Sequence, residues 1–165
     1  MDYKGLTMKN TILIRRNELQ QQIDLRNYYM GESAKRKDPD ADTIQSSKDD
    51  EELLLMFANK AANELVTAVA LRFPSIEHKI EDEYISFTFE SPCCDRGHLV
   101  PMLRQSIMEY LVNEIILQWM LLRQPQMAQI NISLHSSLYS NVQQLFAKFY
   151  NRTRVRRRPT DLAGI

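Results

Sequence analysis

Cys93, Cys94 and His98 fall within six residues of one another, and soft-metal ligation is the first chemistry such a set suggests. A closed zinc site, however, takes four ligands in tetrahedral order, usually from separated cysteine pairs. Here the cysteines are adjacent and the fourth ligand is missing. Neighbouring Cα atoms are held about 3.8 Å apart, a poor fit to an ordinary structural disulfide. The pair therefore reads as buried or half-buried thiols at a strand-to-helix turn. Asp38, Asp40 and Asp42, and the run Glu81-Asp82-Glu83, raise calcium or magnesium, but the aspartates lack the glycine and terminal bidentate glutamate of a calcium loop. A solvated acidic loop accounts for them. His78 and His135 have no paired carboxylate or cysteine nearby in sequence that would suggest a nucleophile and base, so both are expected at the surface or in an interface. The four glycines are isolated, which leaves no phosphate cradle, and no Gly-x-Ser-x-Gly turn occurs. We assign no catalytic residue, no metal and no cofactor, and expect that the chain is not an enzyme.

What remains is ionic. Lys plus Arg equals Asp plus Glu at 21 each, yet the charges are segregated along the chain. Acids crowd the middle, at Asp38, Asp40, Asp42 and Asp49-Asp50-Glu51-Glu52, whereas Arg152-Thr153-Arg154-Val155-Arg156-Arg157-Arg158 is purely cationic. A guanidinium is a planar fork that pairs bidentately with carboxylates and phosphates. Arg152, Arg154, Arg156, Arg157 and Arg158 thus suit either an acidic surface on a neighbouring protein or the backbone of a nucleic acid. Aromatics that would stack on bases are scarce, since only Phe146, Phe149 and Tyr150 precede the run, so single-strand binding is the weaker version. A polarised chain that sums to zero can also pair head to tail with copies of itself, which makes the acidic segment from Asp38 to Glu52, with Asp49, Asp50, Glu51 and Glu52 at its end, the nearest candidate counter-charge.

The elements that must position these groups follow from apolar spacing. With 165 residues, 19.4 kDa and 44% hydrophobic content, the chain suits a single mainly α domain over residues 1–150 and a basic arm over 151–165. Thr11 to Ile14 is a short β-branched run. Asn17 and Gln20 behind it form a capping pair for a first helix that should stop at Gly31. Residues 32–48, rich in Ser, Asp, Lys and Pro, read as a surface loop. Leu53, Leu54, Phe57, Ala58, Ala61, Leu65, Val69 and Phe73 follow helical spacing as far as Pro74. Tyr84 to Glu90 alternates, with Ile85, Phe87 and Phe89 on one face, and Ile12 and Ile14 offer it a partner strand.

From about Leu99 to Arg123 a third helix is apolar on most sides, carrying Trp119 near its end, which makes it central to its domain or pressed against another subunit. After Pro125 a fourth helix shows Met127, Ile130, Leu134, Leu138, Val142, Leu145 and Phe149 at spacings of three and four. The predicted fold is a mainly α helical bundle with a central antiparallel helix hairpin, a minor two-stranded β element, a long acidic loop and an extended basic C-terminal arm. No signal-peptide pattern is present, and Ile115 to Leu122 is far below the roughly 18 apolar residues of a membrane span. A soluble protein of a reducing cytoplasm is expected, with no membrane partner.

In its element order, and in the stretches Ile107 to Leu122 and Arg152 to Arg158, the chain resembles the neck proteins of tailed bacteriophages, variously head-to-tail connectors, adaptors or tail-completion proteins. The resemblance implies a virion structural protein, assembled in the host cytoplasm. It implies a ring, commonly of twelve copies, between portal and tail, bounded by the portal and other neck or tail proteins. It also implies a channel through which the genome passes, with non-specific contact to packaged DNA, a C-terminal arm that reaches a neighbour, and no catalysis. Arg152 to Arg158, Trp119 and Asp49 to Glu52 are the expected interface residues. The alternative is a nucleic-acid-binding helical module that uses the same arginines on phosphate.

Overall fold

The computed structural model describes residues 7–37, 50–92 and 97–150. In chain order the elements are β1 (Thr7–Arg15), α1 (Arg16–Lys37), α2 (Glu51–Ala70), β2 (Glu77–Ile80), β3 (Tyr84–Pro92), α3 (Leu99–Arg123) and α4 (Gln129–Tyr150), with a 3-10 turn at Pro125–Met127 before α4. The fold is mainly helical, with four helices and a small antiparallel sheet. The sheet has three strands in the order β1-β3-β2 rather than two. The added strand, Glu77-His78-Lys79-Ile80, is too short and too charged to announce itself. It becomes a strand by pairing with β3, His78 opposite Phe87 and Ile80 opposite Ile85.

The alternation in β3 works as its period dictates. Ile85, Phe87 and Phe89 are fully buried, and Ile12 and Ile14 of β1 lie opposite Phe87 and Ile85 on the same face. The reverse face carries Lys9, Thr11, Leu13, Arg15 and Thr88. Glu83 accepts a 2.9 Å backbone bond from Arg16 at the end of this ladder. Bonded pairs recur every second residue in an antiparallel ladder, so the odd-numbered residues of β1 direct their backbone groups to the open edge. One of these, the Leu13 carbonyl, accepts from Arg104 Nε of α3 at 2.9 Å. The same guanidinium is ion-paired with Glu18 of α1, so a single side chain ties α3 to the junction of β1 and α1.

Helix α3 is the hub: it packs against α1, α2, α4 and β1, and its side chains from Tyr110 to Leu117 are all buried. Over this central stretch its apolar circumference is thus satisfied inside its own domain. Among the described residues α2 alone has the length and composition of a membrane span. Its buried set Leu54, Phe57, Ala58, Ala61, Ala62, Leu65 and Val69 instead belongs to the core. Two helix ends differ from expectation. Helix α1 continues past Gly31 to Lys37; Gly31 is buried and acts as a small packing residue rather than a terminator. Helix α2 ends at Ala70, ahead of Pro74, in a turn at Leu71–Arg72 where the backbone N–H groups of Arg72 and Phe73 both go to the Val69 carbonyl at 3.0 and 2.9 Å.

Near its C-terminus α4 closes the core with aromatic rings. Phe146 and Phe149 meet Phe89 edge-on at 5.0 and 5.1 Å, and Tyr150 stacks on Phe73 at 4.5 Å. The Tyr150 hydroxyl shares a 2.8 Å hydrogen bond with Ser75. Ser75 in turn accepts from the Glu90 backbone N–H at 3.2 Å, so the last residue of α4 is pinned to the chain leading into β2.

Candidate interaction surface

The structure separates the expected interface residues into those it places and those outside the described residues. Arg152, Arg154, Arg156, Arg157, Arg158 and Asp49 lie outside, as do Cys93, Cys94 and the aspartates at 38, 40 and 42. Asp50, Glu51, Glu52 and Trp119 are placed, all at one end of the molecule. There the start of α2 meets the end of α3.

Arg123 joins them. Its guanidinium lies 4.9 Å from the Trp119 ring centroid and donates to Asp50 at 3.1 Å. The indole is only 4% exposed, so Trp119 is a core residue whose remaining face is covered by Arg123 rather than offered to a partner. The side chain of Asp50 is also largely buried, at 11% exposure, and its charge is engaged within the subunit. Glu51 and Glu52 remain exposed and carry the acidic character of this end outward.

Beside these acids the surface is apolar. Leu121 and Leu122 at the end of α3, and Ile130, Ile132 and Leu134 at the start of α4, are exposed by 37 to 66%. Single exposed aliphatics are ordinary, but five gather around this one helix–helix turn, with Ile130 and Leu134 one turn apart on the same face of α4. The spacing of α4 predicted an inward seam through Ile130 and Leu134. The structure turns both outward, and the inward positions go to polar groups instead. Asn113 Nδ2 donates to the Asn131 carbonyl at 3.0 Å, while Asn131 Nδ2 reaches the Met120 sulfur at 3.6 Å. His135 Nδ1 is paired with Glu114, a carboxylate only 4% exposed.

Tyr110 and Tyr139 flank this imidazole, the latter stacked nearly parallel at 8°. Burial, and after it the neighbouring Glu114 carboxylate, hold the Tyr110 phenol well above its usual range, so it stays protonated. His135, expected at the surface or in an interface, keeps 40% of its side chain exposed and is paired as well. Its partner stands on another helix, where no search of neighbouring sequence could find it. The available signal was Glu114 itself, an acid set among Val112, Ile115 and Ile116.

Two clefts open on the helical layer. One, of about 380 Å³, lies between the starts of α1 and α2, with Ile85 and Ile115 among its lining residues and Arg16, Gln20, Glu51 and Glu52 among its polar ones. The other, of about 290 Å³, lies between α1 and α3 and is lined by Leu25, Tyr29, Met30, Met108 and Val112. Among the described residues no three His, Cys, Asp or Glu side chains gather as metal ligands. No family model matches the chain, nor does any curated protein or solved structure.

Proposed function

We propose that this chain is a structural subunit of a tailed-phage virion, a ring-forming head-tail connector that links portal and tail around the DNA channel. On this reading α3 and α4 form its central hairpin. The segment between α1 and α2 is an acidic surface loop, and residues 151–165 are an arm that contacts a neighbour. The observation that carries the reading is the apolar end at Leu121, Leu122, Ile130, Ile132 and Leu134. The core is already closed by α3 and the aromatic end of α4, so these side chains are surplus to folding. Burying them against other subunits is the arrangement that removes them from water. The reading assigns no reaction to the protein.

Light scattering on the purified chain, with negative-stain micrographs of the same fractions, tests it. A closed ring is expected. A stable monomer that binds DNA with a steep salt dependence would replace the connector reading with a nucleic-acid-binding module.

A further inference from the structure

The two ends of the molecule differ in charge as well as in apolarity. The acids Glu51 and Glu52 stand at the N-terminal end of α2. Tyr150, from which the Arg152–Arg158 run departs, is fixed beside Phe73 and Ser75 just beyond the opposite end of α2. Helix α2 is 20 residues long, hence about 30 Å from end to end. Arg152 and Arg156 follow Tyr150 by two and six residues, so an extended chain carries them at most about 7 and 20 Å from it. Even with its side chain extended, Arg152 therefore falls short of its own subunit's Glu51 and Glu52, and the later arginines approach them only with the segment stretched along the whole of α2, whereas the same groups on an adjacent copy face no such limit.

We infer that the Arg152–Arg158 segment of one copy docks along the acidic mouth of the α1–α2 cleft of the next. The inference rests on the assembly reading above and names the contact that would propagate it. The cleft offers what such a segment requires. Leu19, Ile23, Leu54 and Leu55 line it, with Ile85 and Ile115 from the sheet and α3, and its volume accommodates an aliphatic side chain. Val155 is the only apolar residue between Arg152 and Arg158, and it occupies this apolar part. The flanking guanidinium forks pair with the carboxylates of Glu51 and Glu52. Arg16, also part of the lining, carries like charge, which confines the segment to the α2 side of the mouth. Because donor and acceptor lie at different places on the same chain, the contact is heterologous and generates a ring if the rotation closes.

A charge exchange in the full-length chain tests this. One variant carries Glu51→Arg and Glu52→Arg; the other carries Arg154→Glu, Arg156→Glu and Arg157→Glu. Each alone sets like charge against like at every contact, and the expected result in sedimentation velocity is loss of the wild-type assembly. An equimolar mixture restores opposite charges at both kinds of contact and should recover it. Glu51 and Glu52 also occupy the first turn of α2, so circular dichroism and thermal unfolding accompany each variant. The arm variant leaves the described core untouched and keeps the test valid even if the first is unstable.

A wild-type ring that survives both charge reversals overturns the docking while leaving the connector reading standing. So does loss of assembly in each variant that their mixture fails to restore, the outcome expected if the segment binds within its own chain. A wild-type chain that remains monomeric overturns both.

Discussion

The two halves of α4 are built on opposite principles although they belong to one helix. Its C-terminal half buries Val142, Leu145, Phe146 and Phe149 against Phe73 and Phe89, the pattern of a core. Its N-terminal half buries Asn131, pairs His135 with Glu114, and leaves Ile130, Ile132 and Leu134 in water. A chain selected for folding alone would place the aliphatics inward throughout. The inversion teaches that apolar packing is concentrated at one end of the helix pair, while the other end leaves aliphatics in water that the proposed assembly would cover. The buried polar groups at that second end fix how α3 and α4 sit together rather than how firmly.

The contrast can be broken by substitution. Phe146→Ala should have the largest effect, about 3–5 kcal/mol in urea unfolding, because it empties a fully buried aromatic site. A loss below about 1 kcal/mol would mean that the aromatic end is not where stability resides. His135→Ala should cost less, about 1–3 kcal/mol, by leaving the buried Glu114 carboxylate without its partner. Adding Glu114→Gln to that variant should recover part of the loss, and purely additive costs in the double-mutant cycle would refute the coupling.

Smaller still is a pH effect in the folding half. His78 lies against Phe87, and burial lowers its pKa from the ordinary 6.5. The unfolded chain then binds the proton more readily than the folded one, so this residue's contribution is full above about pH 6.5 and is lost as pH falls below it. His78→Gln should flatten that part of the stability profile. Finally, Ile130→Ser with Leu134→Ser should shift monomer stability by no more than about 0.5 kcal/mol while abolishing self-association in light scattering. A large loss of stability would show that these side chains belong to the core after all.

Most of the helical layer could be read from the sequence because its signals are local. The period of β3 and the stripes of α2 and α3 are carried by residues that end up fully buried. Helix α4 was legible as a helix, but half of its orientation was not. Spacing identifies an apolar stripe, and only the presence of Asn113 and Glu114 on the facing helix explains why Asn131 and His135 displace that stripe from the inside. Strand β2 was hidden for a related reason, since four residues with alternating charge acquire strand structure only from β3. Of the expected interface set, Asp50 and Trp119 are held within the subunit by Arg123, a contact between α2 and α3 that no local sequence signal announces. Arg123, the last residue of α3, looks in sequence like an ordinary cation of a helix's last turn.

The sheet order has a kinetic consequence. Arg15 pairs with Tyr84 and Thr7 with Pro92, so β1 leaves the ribosome well ahead of its partner and cannot pair until two helices and β2 have followed. At about 5–20 residues per second that delay lasts several seconds, and contacts so distant in sequence slow folding through loop-closure entropy. The helices can form while β1 waits, and insertion of β1 beside β3 should be a late event. Conservative truncations such as Ile14→Val should then change the unfolding rate far more than the folding rate, and the nascent strand is the segment most exposed to mispairing with another chain.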